Sequence, residues 1–213
     1  MNSRQEIFEE DRNCCLALSK IGVRVNSVYE LSNHNCNHAD IVPILLELLQ
    51  TVNTPNIKEG IIGALGIKNA RGSAETALIE ELLNLPNAGP LSRLKWTIGN
   101  TLYELGTIDA HFDAIAAITV EPSHGTGRQM LVMLLGKSKR HKERAEKIAF
   151  GLLEDQDVQG HAIRALGNLR SFQSIEAIEQ FLSSSNEWHR REANTALKKI
   201  RKAQSALSED ASQ

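Results

Sequence analysis

The sequence predicts an all-α protein: a right-handed α-α superhelix of about five stacked helical hairpins behind an N-terminal cap. Three observations carry this expectation. A ten-residue frame recurs along the chain, Leu-Gly pairs close most of its copies, and no stretch alternates apolar with polar residues as a strand does.

The frame is clearest in "VQGHAIRALG" from Val158, "IKEGIIGALG" from Ile57 and "GRQMLVMLLG" from Gly127. "TIGNTLYELG" from Thr97 fits after a longer loop, and "HRREANTALK" from His189 matches with Lys198 in the glycine position. The leucines fall at 65, 105, 135, 166 and 197, with spacings of 40, 30, 31 and 31 residues. A fixed period in this range is the mark of a solenoid. Second helices are expected near 56–67, 92–106, 127–137, 157–169 and 187–202.

An amphipathic stretch precedes each frame: "HADIVPILLELLQ", "SAETALIEELLNL", "AHFDAIAAITV", "ERAEKIAFGLLE" and "SIEAIEQFLSS". Ile41, Ile44, Leu45, Leu48 and Leu49 show the three- and four-residue steps of a helix with one apolar face. Asn37 is a candidate N-cap for that first helix, with Pro43 in its opening turn. Gly66, Gly106, Gly136 and Gly167 stand where a left-handed C-cap residue is wanted. Residues 1–36 form a cap, with a helix in "RQEIFEEDRNCCLALSKI" closed by Gly22 and a shorter one around Val25 to Leu31. The repeats occupy 37–202, and the small polar stretch 203–213 is expected to be a flexible tail.

Composition narrows the function. Of 213 residues, 41% are hydrophobic and 23% charged, as in an ordinary folded domain, and the net charge of −2 gives no global field toward nucleic acid or membrane. No apolar run approaches the roughly 20 residues that span a bilayer. Cys14, Cys15 and Cys36 make an odd set, read as free thiols of a reducing cytoplasm.

"LLEDQDVQGHAIRALGNL" and "LSSSNEWHRREANTALKKI" resemble the HEAT-like repeat family, particularly its short phycobilisome-lyase-type repeats. In that family the second helix begins Val-Arg and ends Ala-Leu-Gly. Arg190 and Arg128 occupy the Arg position, Lys58 is a near match, and Gln159 and Ile98 depart from it. The resemblance covers about residues 38–202 and implies an armadillo-like solenoid. It also implies a possible role as one subunit of a bilin-chromophore lyase.

Counting from 0 at Val158, positions +4 and +8 follow the buried stripe, while +2 and +6 turn toward a concave surface. Position +2 gives Glu59, Gly99, Gln129, Gly160 and Arg191, and +6 gives Gly63, Tyr103, Met133, Arg164 and Thr195. This mixture is not a row of Lys and Arg, so it suits a protein or peptide better than a nucleic-acid backbone. The expected protein contacts are Trp96, Tyr103, Met133, His161, Arg164, Trp188 and Arg191, the two tryptophans serving as anchors.

Other motifs are weaker. His34, Cys36 and His38 in "NHNCNHAD" match no common zinc spacing, so the expectation is a loop and no metal. "SHGTGRQM" offers either an anion-binding helix start or a flexible connection, without the Lys-Ser/Thr ending of a P-loop. "KSKRHKER" at 137–144 is a basic loop. A nucleic-acid or anion contact would draw on Lys58, Arg93, Lys95, Arg128, Lys137, Lys139 and Arg140. Trp96 with Asn100 one turn on invites comparison with HEAT-like alkylpurine DNA glycosylases, which place a catalytic Asp where this chain has Asn. No Ser or Cys stands in a nucleophile motif, and the seven histidines are scattered. The reading is therefore a non-enzymatic scaffold without a cofactor, with nucleic-acid binding or lyase chemistry as alternatives.

Overall fold

The computed structural model describes residues 4–32, 40–86, 91–106 and 108–210. All the regular structure among them is helical. The Asn37 cap and the His34, Cys36 and His38 group lie outside the described residues. The chain divides into two compact units, Met1–Thr107 and Ile108–Gln213.

The first unit opens with α1 (Arg4–Ser19), which ends before Gly22, a residue at φ +84°. A short 3-10 segment, Val28–Ser32, follows. Asp11 of α1 accepts the Val28 N–H at 2.9 Å. Two hairpins complete the unit: α2 (Ile41–Thr51) with α3 (Pro55–Ala64), and α4 (Glu75–Asn84) with α5 (Ser92–Leu105). Glu10 ties the cap to the first hairpin by accepting the N–H groups of Asn53 and Thr54, at 2.8 and 3.0 Å. Pro55 begins α3, where a missing N–H costs nothing.

The second unit holds three hairpins: α6 (Phe112–Val120) with α7 (Gln129–Leu135), α8 (Lys142–Gly151) with α9 (Gln159–Leu169), and α10 (Ile175–Glu179) with α11 (Glu187–Asp210). The recurring frames fall mainly on α3, α5, α7, α9 and α11. Its core is built from the frames, with Val158, Ala162, Ile163 and Leu166 of α9 packed among Ala193, Ala196, Leu197 and Ile200 of α11. Positions +4 and +8 are buried in every frame, as the periodicity requires.

Position +5 shows where the pattern stops. Ile62, Leu102, Val132 and Ile163 are completely buried there, whereas the last frame has exposed Asn194. Helix α11 also runs on to Asp210, through the stretch expected to be flexible. Lys202, Ala203, Gln204, Ala206 and Leu207 are good helix formers and need no burial to continue it.

The frame glycines require a correction. Gly106 alone of the four takes the left-handed conformation, at φ +74°. Gly136 is right-handed at φ −63°, and Gly167 lies inside α9, which instead ends on Arg170 at φ 56°. Their role is to let helices approach. A Cβ on Gly136 would stand 3.0 Å from the Ala165 Cα, and one on Gly167 would stand 2.7 Å from the Ala196 Cα. Position +9 of one frame thus faces +7 of the next. The same register holds in the first unit, where Gly66 faces Glu104 with more room, at 3.9 Å.

Because the obstacle at Gly167 is backbone, Gly167→Ala cannot be relieved by a rotamer change and should cost about 1–3 kcal/mol. Gly63→Ala adds a methyl with nothing within 4 Å and should stabilise by about 0.5–1 kcal/mol through helix propensity. Urea unfolding of the two variants beside wild type checks both signs.

Candidate functional site

In the second unit, the starts of α9 and α11 bring together His161, Arg164, Trp188 and Arg191. Asn186 sets the start of α11, its Oδ1 accepting the Trp188 N–H at 2.9 Å. Arg190 pins the preceding loop by donating to the carbonyls of Ser184 and Ser185, at 2.7 and 3.1 Å. The indole so placed covers Gly160, where a Cβ would stand only 2.0 Å from Cζ3. Gly160 at +2 is therefore a seat for Trp188, and does not itself face solvent.

Around the indole runs a row of rings. His161 lies 4.8 Å from Trp188 between centroids, His189 lies 5.6 Å away, and Phe181 meets His189 edge-on at 6.2 Å. The four rings are half-buried. Beside them Arg164 pairs with Glu192, Nε to Oε2 at 3.4 Å, and Arg191 is exposed. Burial, followed by the charges of Arg164 and His189, pushes the His161 imidazole down to about 4. His161 Nδ1 is enclosed without a hydrogen-bond partner. At neutral pH the cluster offers a neutral aromatic surface with an ion pair and a guanidinium at its border. That arrangement can receive an apolar side chain flanked by a carboxylate.

The other predicted contacts differ in exposure. Met133 is buried, because α7 is apolar all round and every residue from Met130 to Leu135 is enclosed. It is a core residue. In the first unit, Trp96 is exposed and Tyr103 half-buried on α5.

The cationic set is largely engaged. Arg128 is only 1% exposed, and its guanidinium donates to the carbonyls of Gly125 and Thr119, both at 3.0 Å, and to Asp155 Oδ2 at 2.7 Å. It is a brace between successive hairpins, and its contacts occupy the segment "SHGTGRQM" that was weighed as an anion site. Lys95 is buried at 3% exposure, and that burial lowers its pKa. Lys58 pairs with Glu81, and Arg93 pairs with Glu59 at 2.9 Å. Burial raises the Glu59 carboxyl despite the pull of Arg93. Lys137 is half-buried, while Lys139 and Arg140 are exposed.

The basic loop is held by Asp109, which sequence reasoning did not single out. It accepts from Ser138 Oγ at 2.7 Å and from the Arg140 N–H at 3.2 Å. Burial works to raise this carboxyl, but hydrogen bonds from Ser138, Arg140 and Lys139 outweigh it and hold the pKa low. Phe181, His189 and Glu192 were missed as well. Glu192 sits at +3 of its frame, next to an exposed Arg, and that was its only signal. No group of three or more His, Cys, Asp or Glu suited to a metal occurs among the described residues.

Paired helices in a repeating frame define a helical-repeat protein of the all-α solenoid class. The comparisons agree with this: residues 151–209 match the family model for HEAT repeats, which supports a HEAT-like repeat family. It is also similar in fold to a crystal structure described as an engineered protein. The TM-score is 0.54 at 16% identity, over 89% of this chain and 97% of that one. No curated protein matches the chain. No described helix is long and apolar enough to cross a membrane.

Two measurements test the cluster. His161 falls from 6.5 to about 4 in the folded chain, so between those values the unfolded chain binds a proton that the folded site refuses. Stability should therefore drop as pH falls from 6.5 toward 4. In His161→Phe the urea midpoint should depend less on pH across that window. Gly160→Ala should move the indole, since the obstructing atoms are the far end of a side chain. In a Trp96→Phe background its fluorescence should shift to the red with little loss of stability.

Proposed function

We propose that the chain is a non-enzymatic interaction scaffold that holds a protein or peptide segment against the exposed side of its second helices. The reading rests first on the ring cluster of Trp188, His161, His189 and Phe181. A half-buried tryptophan seated by neighbouring helices is rigid before binding, so little side-chain entropy is lost on association. Trp and Arg are also the residue types that carry most of the binding energy in protein interfaces. Arg164, Glu192 and Arg191 would supply charged contacts around the apolar centre. In the first unit, Trp96 and Tyr103 are the proposed contacts. HEAT repeats are consistent with such a role, and the proposed setting is the cytoplasm.

Nucleic-acid binding has thinner support. Lys95 and Arg128 are buried, and Lys58 and Arg93 already have carboxylate partners. Those cations have no spare charge for phosphates.

The test is affinity purification with mass spectrometry on wild type and Arg164→Glu/Arg191→Glu, both positions being exposed. A specific protein retained by wild type and lost by the variant, with helical content unchanged in circular dichroism, supports the proposal. Equal retention by both overturns it.

A further inference from the structure

We propose that a cleft between the C-terminal end of α9 and the middle of α11 binds a phosphoryl group. The cleft has a volume of about 400 Å³ and is lined by Gly167, Asn168, Arg170, Lys199, Lys202 and Ala203. Three cations face it, and no carboxylate does. The small residues Gly167 and Ala203 keep it open.

The neighbouring cations are paired. Arg201 bonds Glu179, and Arg164 bonds Glu192. No ion pair engages Arg170, Lys199 or Lys202 among the described residues. Lys199 is also positioned: its Nζ donates to Asn168 Oδ1 at 2.7 Å. Like charges gathered in one cleft repel one another, and a multiply charged anion removes that repulsion.

Arg170 supplies a second, independent observation. It is the one described residue other than glycine with positive φ, at φ 56° and ψ 48°. Glycine or asparagine is the unstrained choice at such a helix end. Here an arginine stands in that position and lines the cleft, so the backbone cost is met where a cationic residue adds to the site.

The chemistry selects the ligand class. A guanidinium binds two phosphoryl oxygens side by side, and each lysine adds a point charge, so the set matches a doubly charged oxyanion better than a single carboxylate. No aromatic side chain lines the cleft, so a nucleobase has nothing to stack on. The recognised part is the phosphoryl group itself. This site is separate from the ring cluster and does not depend on the scaffold reading.

The test is calorimetric titration of the full chain with inorganic pyrophosphate, and with a phosphoserine peptide beside its serine twin. Saturable binding that weakens with salt is expected. Arg170→Gly suits the backbone there, so it should fold normally and weaken binding about tenfold. Arg170→Gly/Lys202→Gln should abolish it. Binding of the phosphopeptide but not pyrophosphate identifies a phosphorylated protein segment as the source, and the reverse identifies a free phosphate. The proposal is overturned if neither probe saturates at millimolar concentration or if the double variant binds like wild type. It is also overturned if duplex DNA binds more tightly than either probe, with a steep salt dependence.

Discussion

Within each unit, the arrangement depends on how closely one second helix can approach the next. Glycine at +9 gives up its side chain so that +7 of the following frame can come near, and at Gly167 the contact is with the Ala196 backbone. Helix axes usually lie 8–10 Å apart, and the side chains at the crossing decide where in that range they settle. At Gly136 and Gly167 the crossing side chains are a hydrogen and a methyl. Once that contact is set, the rotation of each second helix is fixed. Positions +4, +5 and +8 then have no place but the interior, and +6 is left at the surface except in the wholly apolar α7.

The last frame departs from this contact. In the earlier frames +9 is glycine and +5 is apolar. The last frame has Lys198 and exposed Asn194 instead. Both side chains are exposed, so the charge of Lys198 and the amide of Asn194 stay hydrated.

The hairpins were legible because their signal is a period, and a period survives variation at any one position. The glycines were not fully legible. At a helix end, glycine serves either a left-handed turn or a close approach, and both leave the same letter. Gly106 does the first, while Gly136 and Gly167 do the second. Choosing between them needed the neighbouring frame: Ala165 and Ala196 stand at +7 where close contact occurs. Cations were misleading for a related reason. Arg128 was assigned a surface role from its charge, yet Asp155, one repeat further on, is the carboxylate that takes it inside. The contact of Trp188 with His161 joins two frames, and Gly160 was its only trace in the sequence.

Helix α11 relates the ring cluster to the cleft. Trp188 and Lys199 are eleven residues apart, about three turns, so they project from nearly the same side of the helix. Both make contact with α9, Trp188 over Gly160 and Lys199 with Asn168. That side of α11 is therefore the one turned to α9, and the two features lie at opposite ends of one helix pair, roughly 16 Å apart by helical rise. An extended chain covers that distance in about five residues. A segment with an apolar side chain at one end and a phosphoryl group at the other has the length to reach both. The rigidity set by the glycine contacts would keep that separation constant.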